Sequence, residues 1–153
     1  AHPAQHGASR GTPMSVRRPP RTDACGPAEA EARLDQALAF LEVAELVGDQ
    51  DDDLATPNVA ASLAVLAGIA ASDAVCCAAL GTRSRSQDHR QALGLLRQVA
   101  AVGEAMARDL GRLLSVKDDA HYGVLHVSGQ RVAAALRQAR RVVDAAEDYL
   151  RES

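Results

Sequence analysis

Aromatic residues are nearly absent from this chain of 153 residues, which contains one Phe, two Tyr and no Trp. Alanine, leucine and valine fill the apolar positions instead, a composition typical of closely packed helices and poor in β-forming residues. No stretch shows the apolar–polar alternation of a half-buried strand. The length corresponds to one domain with a substantial core. The sequence therefore predicts a single all-α domain.

The sequence also lacks the motifs of common metal and nucleotide sites. It contains no ExxH or HExxH pattern and no glycine-rich phosphate loop. The three cysteines do not have the spacing of metal ligands, and His121 with His126 does not make a convincing metal pair. We therefore expect no metal ion and no cofactor.

Two of the three cysteines, Cys76 and Cys77, are adjacent within an apolar segment. Free cysteine is among the most buried residue types, and persistent disulfides are rare in a reducing cytosol. We expect both residues to be small core side chains in such a compartment. A vicinal redox pair is the alternative interpretation.

Strong net charge and a signal peptide are absent as well. The net charge of −3 argues against binding of polyanions by the whole surface, and the N-terminus has no apolar stretch of the kind that a signal peptide needs. Residues 59–80 are long enough to span a membrane, but Ser62, Ser72 and Asp73 interrupt them. We expect a cytoplasmic protein without membrane insertion.

Residues 1–27 are rich in Pro, Gly, Ser, Arg and His and show no apolar periodicity. Such a composition cannot bury enough apolar surface to fold, and it predicts a disordered, basic tail. Met14 has the character of a natural start, so residues 1–13 are interpreted as an upstream extension or cloning residue. The folded domain is expected to occupy residues 28–153.

Apolar residues recur at helical spacing through the rest of the chain. Thr56 and Pro57 form a helix start, Gly81 a stop, and Ser86 and Ser128 are candidate N-caps. The pattern predicts helices over residues 28–47, 56–80, about 86–115 and 128–150, the third being either continuous or broken near Gly103. This arrangement predicts an up-and-down bundle of four or five helices.

The second predicted helix is apolar on all sides, which is typical of a helix in the middle of a bundle. Asp73 lies on its apolar stripe, where a carboxylate needs a partner or a raised pKa. One interpretation is a structural salt bridge or a water-bridged polar spot. The other is a site carboxylate that faces Arg83, Arg85 or His89.

The loop that follows this helix is the first candidate site. Guanidinium groups of Arg83, Arg85 and Arg90 suit a phosphate, with help from a helix N-terminus. A nearby imidazole, His89, can move a proton to or from a ribose hydroxyl. The alternative is a polar connection that carries a surface histidine.

The second candidate site lies near the end of the third helical segment. Lys117, the only lysine of the chain, stands four residues before His121, with Tyr122 adjacent. In a helix, Lys117 and His121 share a face. A catalytic Lys–His pair is one interpretation, and an ion pair of the lysine with Asp118 or Asp119 is the simpler one.

Two stretches resemble HEPN domains. One is Ala71-Ser-Asp-Ala-Val-Cys-Cys-Ala-Ala-Leu-Gly with the arginine-rich loop and His89, which is similar to the second helix and following turn of the family. The other is Leu113-Leu-Ser-Val-Lys-Asp-Asp-Ala-His-Tyr-Gly, followed by Ser128 and the last helix, which is similar to the junction of the third and fourth helices. The resemblance spans about residues 30–150.

The resemblance implies a bacterial helical bundle, usually dimeric, of a kind found in toxin–antitoxin pairs, beside nucleotidyltransferases and among metal-independent ribonucleases. Active members carry an Arg followed a few residues later by a His, usually just before the last helix. Here that position holds Lys117 and His121, whereas Arg83 and His89 have the spacing one junction earlier.

The sequence therefore predicts a HEPN-like homodimer that binds or cleaves RNA or a nucleotide. The candidate catalytic residues are Arg83, His89 and Asp73, and an antitoxin or a nucleotidyltransferase is the expected partner. The alternative function is a non-catalytic module for helical dimerisation or protein interaction.

Overall fold

The computed structural model describes residues 21–49, 56–85, 88–122 and 128–153. Within them it contains five helices and two short strands. In chain order these are β1 (Thr22–Ala24), α1 (Pro27–Gly48), α2 (Thr56–Leu80), β2 (Thr82–Ser84), α3 (Arg90–Leu96), α4 (Gly103–Tyr122) and α5 (Gly129–Glu152). The predicted all-α helical bundle is confirmed. The two-stranded ribbon was not predicted, because strands of three residues are too short to show a pattern in the sequence.

Helix α2 forms the centre of the bundle and packs against α1, α4 and α5. Its small residues let neighbouring helices approach closely: a Cβ atom at Gly68 would lie 2.7 Å from Cδ1 of Leu113 in α4. The segment Pro57–Leu80 has the length and composition of a membrane span, but 72% of its most apolar window is buried inside the protein. Its apolar surface is therefore largely used by the other helices.

The third predicted helix is broken, and the break has a local cause. Helix α3 ends at Leu96, and a Cβ atom at Gly103 would overlap the carbonyl oxygen of Leu96. Ala101, in the turn between the helices, has a φ of 72°, a left-handed conformation that interrupts helical geometry. Helix α4 then runs to Tyr122, past the predicted end near residue 115, because the buried Val116 extends its apolar seam.

The folded chain begins earlier than the sequence predicts, because residues 21–27 are ordered. Strands β1 and β2 pair in antiparallel register, with Asp23 opposite Arg83. Gly81 turns the chain from α2 into β2 with a φ of 70°, and its carbonyl oxygen accepts the N–H of Cys25 at 3.0 Å. The end of the predicted disordered tail is therefore part of the fold.

A disulfide joins Cys25 to Cys77 across 52 positions of sequence. The expectation that Cys77 is an unbonded core thiol is wrong, since no local pattern links it to a cysteine so far away. Cys76 is a free, buried cysteine, as expected. By loop-closure entropy alone, a disulfide over this separation contributes about 4 kcal/mol to the free energy of unfolding.

The break between α3 and α4 yields a prediction about stability. Replacing Gly103 with Ala should lower the free energy of unfolding by about 2–3 kcal/mol, because the new methyl group collides with backbone rather than with a movable side chain. The matched control is Gly94→Ala in α3, where nothing lies within 4 Å of the added carbon. That variant should gain up to about 1 kcal/mol from helix propensity. Urea unfolding measures both, and equal stability of the two variants would contradict this account of the break.

Candidate anion-binding site

The site is built where α2 ends and β2 begins. Asp73 lies on α2 and is 5% exposed. Arg83 lies in β2, which runs back beside β1 after the turn at Gly81. The hairpin of α1 and α2 brings a third charged residue, Arg33, against the same carboxylate. Three elements of the fold, α1, α2 and β2, therefore meet at Asp73.

Arg33 is the principal partner of Asp73. Its Nη2 and Nε atoms donate to Oδ2 of Asp73 at 2.8 and 3.1 Å, and its Nη1 donates to Oε1 of Gln36. Sequence reasoning missed Arg33, although one signal was available: it is the only basic residue of α1. The buried carboxylate is thus paired, as its position in an apolar helix requires.

The two arginines of the ribbon converge on a second carboxylate, that of Asp23. Nη1 of Arg85 lies 3.4 Å from Oδ1 of Asp23, and Nη2 of Arg83 lies 4.0 Å from Oδ2. Nη1 of Arg83 is also 3.6 Å from Oδ2 of Asp73. Arg83 and Arg85 remain 36% and 57% exposed. With Arg33, the cluster has three guanidinium groups against two carboxylates, an excess of positive charge on an otherwise acidic protein.

His89 lies at the edge of this cluster. It is half-buried and directly precedes α3. Burial raises the pKa of Asp73, and a positive charge on His89 is one of the smaller effects that oppose this rise. Of the four residues that the sequence analysis grouped in the loop, Arg83 and Arg85 lie together at Asp23. His89 lies near the other carboxylate, Asp73, and Arg90 is an exposed residue at the start of α3.

The expected contribution of a helix N-terminus to phosphate binding is not found. Helix α3 begins at Arg90 rather than near residue 86, and it is only seven residues long. Two N–H groups of its first turn already donate to nearby backbone carbonyls, and the N–H of Arg90 donates to Oδ1 of Asp88 at 3.1 Å. Ser86, the predicted N-cap, lies outside the described residues. The candidate anion-binding groups of this cluster are therefore the arginine side chains.

The second candidate site is only partly described. Lys117, His121 and Tyr122 lie in the last two turns of α4, so the backbone gives Lys117 and His121 the predicted spacing of one helical turn. Their side chains, and His126, lie outside the described residues, and the catalytic pair stays a prediction. Among the residues that the structure describes, no group of three or more His, Cys, Asp or Glu could hold a metal ion.

Burial sets the protonation behaviour of the two titratable groups deepest in this region. It raises the pKa of Asp73 above the usual range, against the opposing charges of Arg33, Arg83 and His89. It also raises the pKa of the Cys76 thiol to about 12, with the charge of Asp73 adding to the effect. At neutral pH, Cys76 is therefore a protonated, inert thiol.

The raised pKa of Asp73 yields a prediction about pH. A carboxyl group whose pKa is higher in the folded state binds its proton more tightly there, so its ionisation costs stability as pH rises from about 4 toward the folded pKa. Wild type should therefore lose free energy of unfolding relative to Asp73→Asn over this window in urea titrations. An exposed control, Asp35→Asn, should follow wild type. A slope of opposite sign would show that the guanidinium groups outweigh desolvation.

Comparisons of the chain with protein-family models, with curated protein sequences and with solved structures found no match.

Proposed function

We propose that this protein binds the phosphate groups of RNA or of a nucleotide through Arg83 and Arg85, as a cytoplasmic, HEPN-like bacterial protein. The observation that carries the proposal is that the guanidinium groups of Arg83 and Arg85, both partly exposed, converge on the single carboxylate of Asp23. Alternate residues of an extended chain point to the same side, so the ribbon holds both arginines toward one anion. A phosphate oxygen pair can take the place of that carboxylate.

Arg33 supports this role indirectly. By pairing with Asp73 through two N–H groups, it satisfies most of the buried charge and leaves Arg83 with only a longer contact to Asp73. A guanidinium that is positioned but not fully used by the protein can form charge-assisted hydrogen bonds with a ligand. Asp73 thereby orients Arg83 without neutralising the cluster.

Metal-independent RNA cleavage is the catalytic form of this proposal. Arg83 would hold the scissile phosphate while His89 accepts the proton of the ribose 2′-OH. The 2′-oxygen would form a bond to phosphorus as the bond to the 5′-oxygen breaks. The leaving oxygen would then take a proton from solvent or imidazolium, leaving a 2′,3′-cyclic phosphate. The place of His89 directly before α3, five residues beyond β2, is the basis of this assignment. An antitoxin or a nucleotidyltransferase remains the proposed partner.

Binding and cleavage are tested together with labelled single-stranded RNA and tRNA in buffer without divalent metal. Arg83→Ala and Arg85→Ala should each weaken binding and reduce the slope of log affinity against log salt by about one, because each removes one phosphate contact. His89→Ala should retain binding but lose any cleavage. RNA affinity that is unchanged in the Arg83→Ala/Arg85→Ala double variant would overturn the proposal.

The control for total charge is Arg137→Ala. Arg137 is exposed on α5 beside Glu45, and Glu45 lies 12 residues from Arg33 along α1, or about 18 Å at the helical rise. This variant removes the same charge far from the cluster and should bind RNA like wild type. Cleavage that persists equally in every variant would identify a contaminating nuclease.

A homodimer is a second element of the proposal, and exposed apolar residues favour it. Val43, Leu46, Val59 and Leu66 are 43–59% exposed, and all lie on the hairpin of α1 and α2. Large apolar side chains exposed on two neighbouring helices are candidates for a protein interface. We propose that a second copy of the chain covers them, which is also the interface expected of a non-catalytic dimerisation module.

The dimer is tested by sedimentation velocity. Wild type should sediment as a dimer, and Val43→Glu and Leu66→Glu should sediment as folded monomers, because a buried, unpaired carboxylate opposes association. Ala133→Glu places the same charge at an exposed position of α5 and should leave the dimer intact. A monomeric wild type, or dissociation by all three substitutions alike, would contradict the proposed interface.

A further inference from the structure

We propose that the Cys25–Cys77 disulfide is a redox latch, which holds Asp23 on Arg83 and Arg85 when oxidised and exposes both arginines to a phosphate ligand when reduced. The inference rests on the proposed function, since it concerns the regulation of the same arginine pair. Its structural basis is the segment of residues 21–25, here called the N-terminal arm, which ends at the disulfide and carries Asp23.

The N-terminal arm lies directly on the site. The N–H of Arg85 donates to the carbonyl oxygen of Arg21 at 3.0 Å, and the N–H of Cys25 donates to that of Gly81 at the same distance. Oγ1 of Thr82 donates to the carbonyl oxygen of Asp23, also at 3.0 Å. The arm therefore places a carboxylate where a phosphate would bind, which makes Asp23 an internal competitor of the ligand.

The noncovalent contacts of the arm are weak. Its strand is three residues long and pairs with a single neighbour, and an isolated two-stranded ribbon is marginally stable in water. The ion pairs of Asp23 are 3.4 and 4.0 Å long and join groups that are 36–57% exposed, the kind of pair that contributes little. The disulfide is the one covalent link between the arm and the end of α2, so its cleavage should let the arm detach.

The redox step is an ordinary thiol–disulfide exchange. A cellular dithiol supplies two electrons and two protons: its thiolate attacks Sγ of Cys25, Cys77 leaves as a thiolate and takes up a proton, and the second thiol of the reductant releases Cys25 as it closes its own disulfide. Attack at Cys25 is favoured because it is half-buried, whereas Cys77 is 2% exposed. The neighbouring Cys76 takes no part, because its buried thiol stays protonated.

This role also reconciles a disulfide with the proposed cytoplasmic location. Disulfides in the cytosol of mesophiles are usually transient and act in catalysis or redox sensing. We expect a bond that links a short arm to a charged site to act as a sensor, because its cleavage would change access to the arginines.

The test measures affinity for a labelled single-stranded RNA before and after treatment with dithiothreitol. Oxidised wild type should bind roughly tenfold more weakly than reduced wild type if about a tenth of the oxidised molecules have the arm displaced. Cys25→Ser should bind like the reduced protein and ignore the reductant. Asp23→Asn should bind tightly even when oxidised, because the competing carboxylate is gone although the disulfide remains.

Hydrogen exchange followed by mass spectrometry gives a readout that needs no ligand. Reduction should speed hydrogen exchange at the amides of Cys25 and Arg85, which donate to the carbonyl oxygens of Gly81 and Arg21. The amides of α2 and α5 should stay protected from exchange. Unchanged exchange on reduction, or survival of the disulfide in a glutathione buffer at the cytosolic ratio of thiol to disulfide, would overturn the latch.

The outcomes separate the latch from the proposed function. If exchange increases on reduction but neither reduced wild type nor Asp23→Asn binds RNA, the proposed function fails, and the latch fails as its regulator. If RNA binding depends on Arg83 but is the same in oxidised, reduced and Asp23→Asn protein, the function stands and the latch is overturned.

Discussion

The buried charge of Asp73 is the constraint around which the site is organised. Helix α2 is almost wholly apolar and is enclosed by the rest of the bundle, so a carboxylate on it must be paired or carry a high cost. Arg33 reaches it from α1 and Arg83 from β2. One acidic side chain in the core thereby fixes the positions of two basic side chains. The geometry of the candidate site follows from the requirement that the buried carboxylate be paired.

The second carboxylate, Asp23, has a different character because it is only half-buried and lies on a short strand. Asp73 contacts Arg83 from the buried side of the site. Asp23 contacts Arg83 and Arg85 from the N-terminal arm, which the disulfide attaches to α2. A mostly buried contact and a more exposed contact therefore meet at the same guanidinium group. Under the proposed function, Asp73 would keep Arg83 in place while an anion takes the position of Asp23.

Several parts of the structure could be predicted from local patterns, because the forces that set them act within a few residues. The start of α2 at Thr56, the break near Gly103 and the cap at Ser128 follow from capping and propensity. The grouping of Arg83 with Arg85 was equally local. Arg33 was missed because its partner is 40 positions away. The extension of α4 to Tyr122 was missed because the three residues after Val116 are charged.

By itself, the sequence determined the helices, the all-α class and the presence of a carboxylate that needed a partner, since helical periodicity and desolvation depend only on residue type and spacing. The tertiary structure alone decided which residues pair with that carboxylate. The pairing of Cys25 with Cys77 and of Asp23 with Arg85 spans 52 and 62 positions. Contacts at such separations arise only when α1 and α2 fold back on each other, because no local energy term distinguishes one distant partner from another.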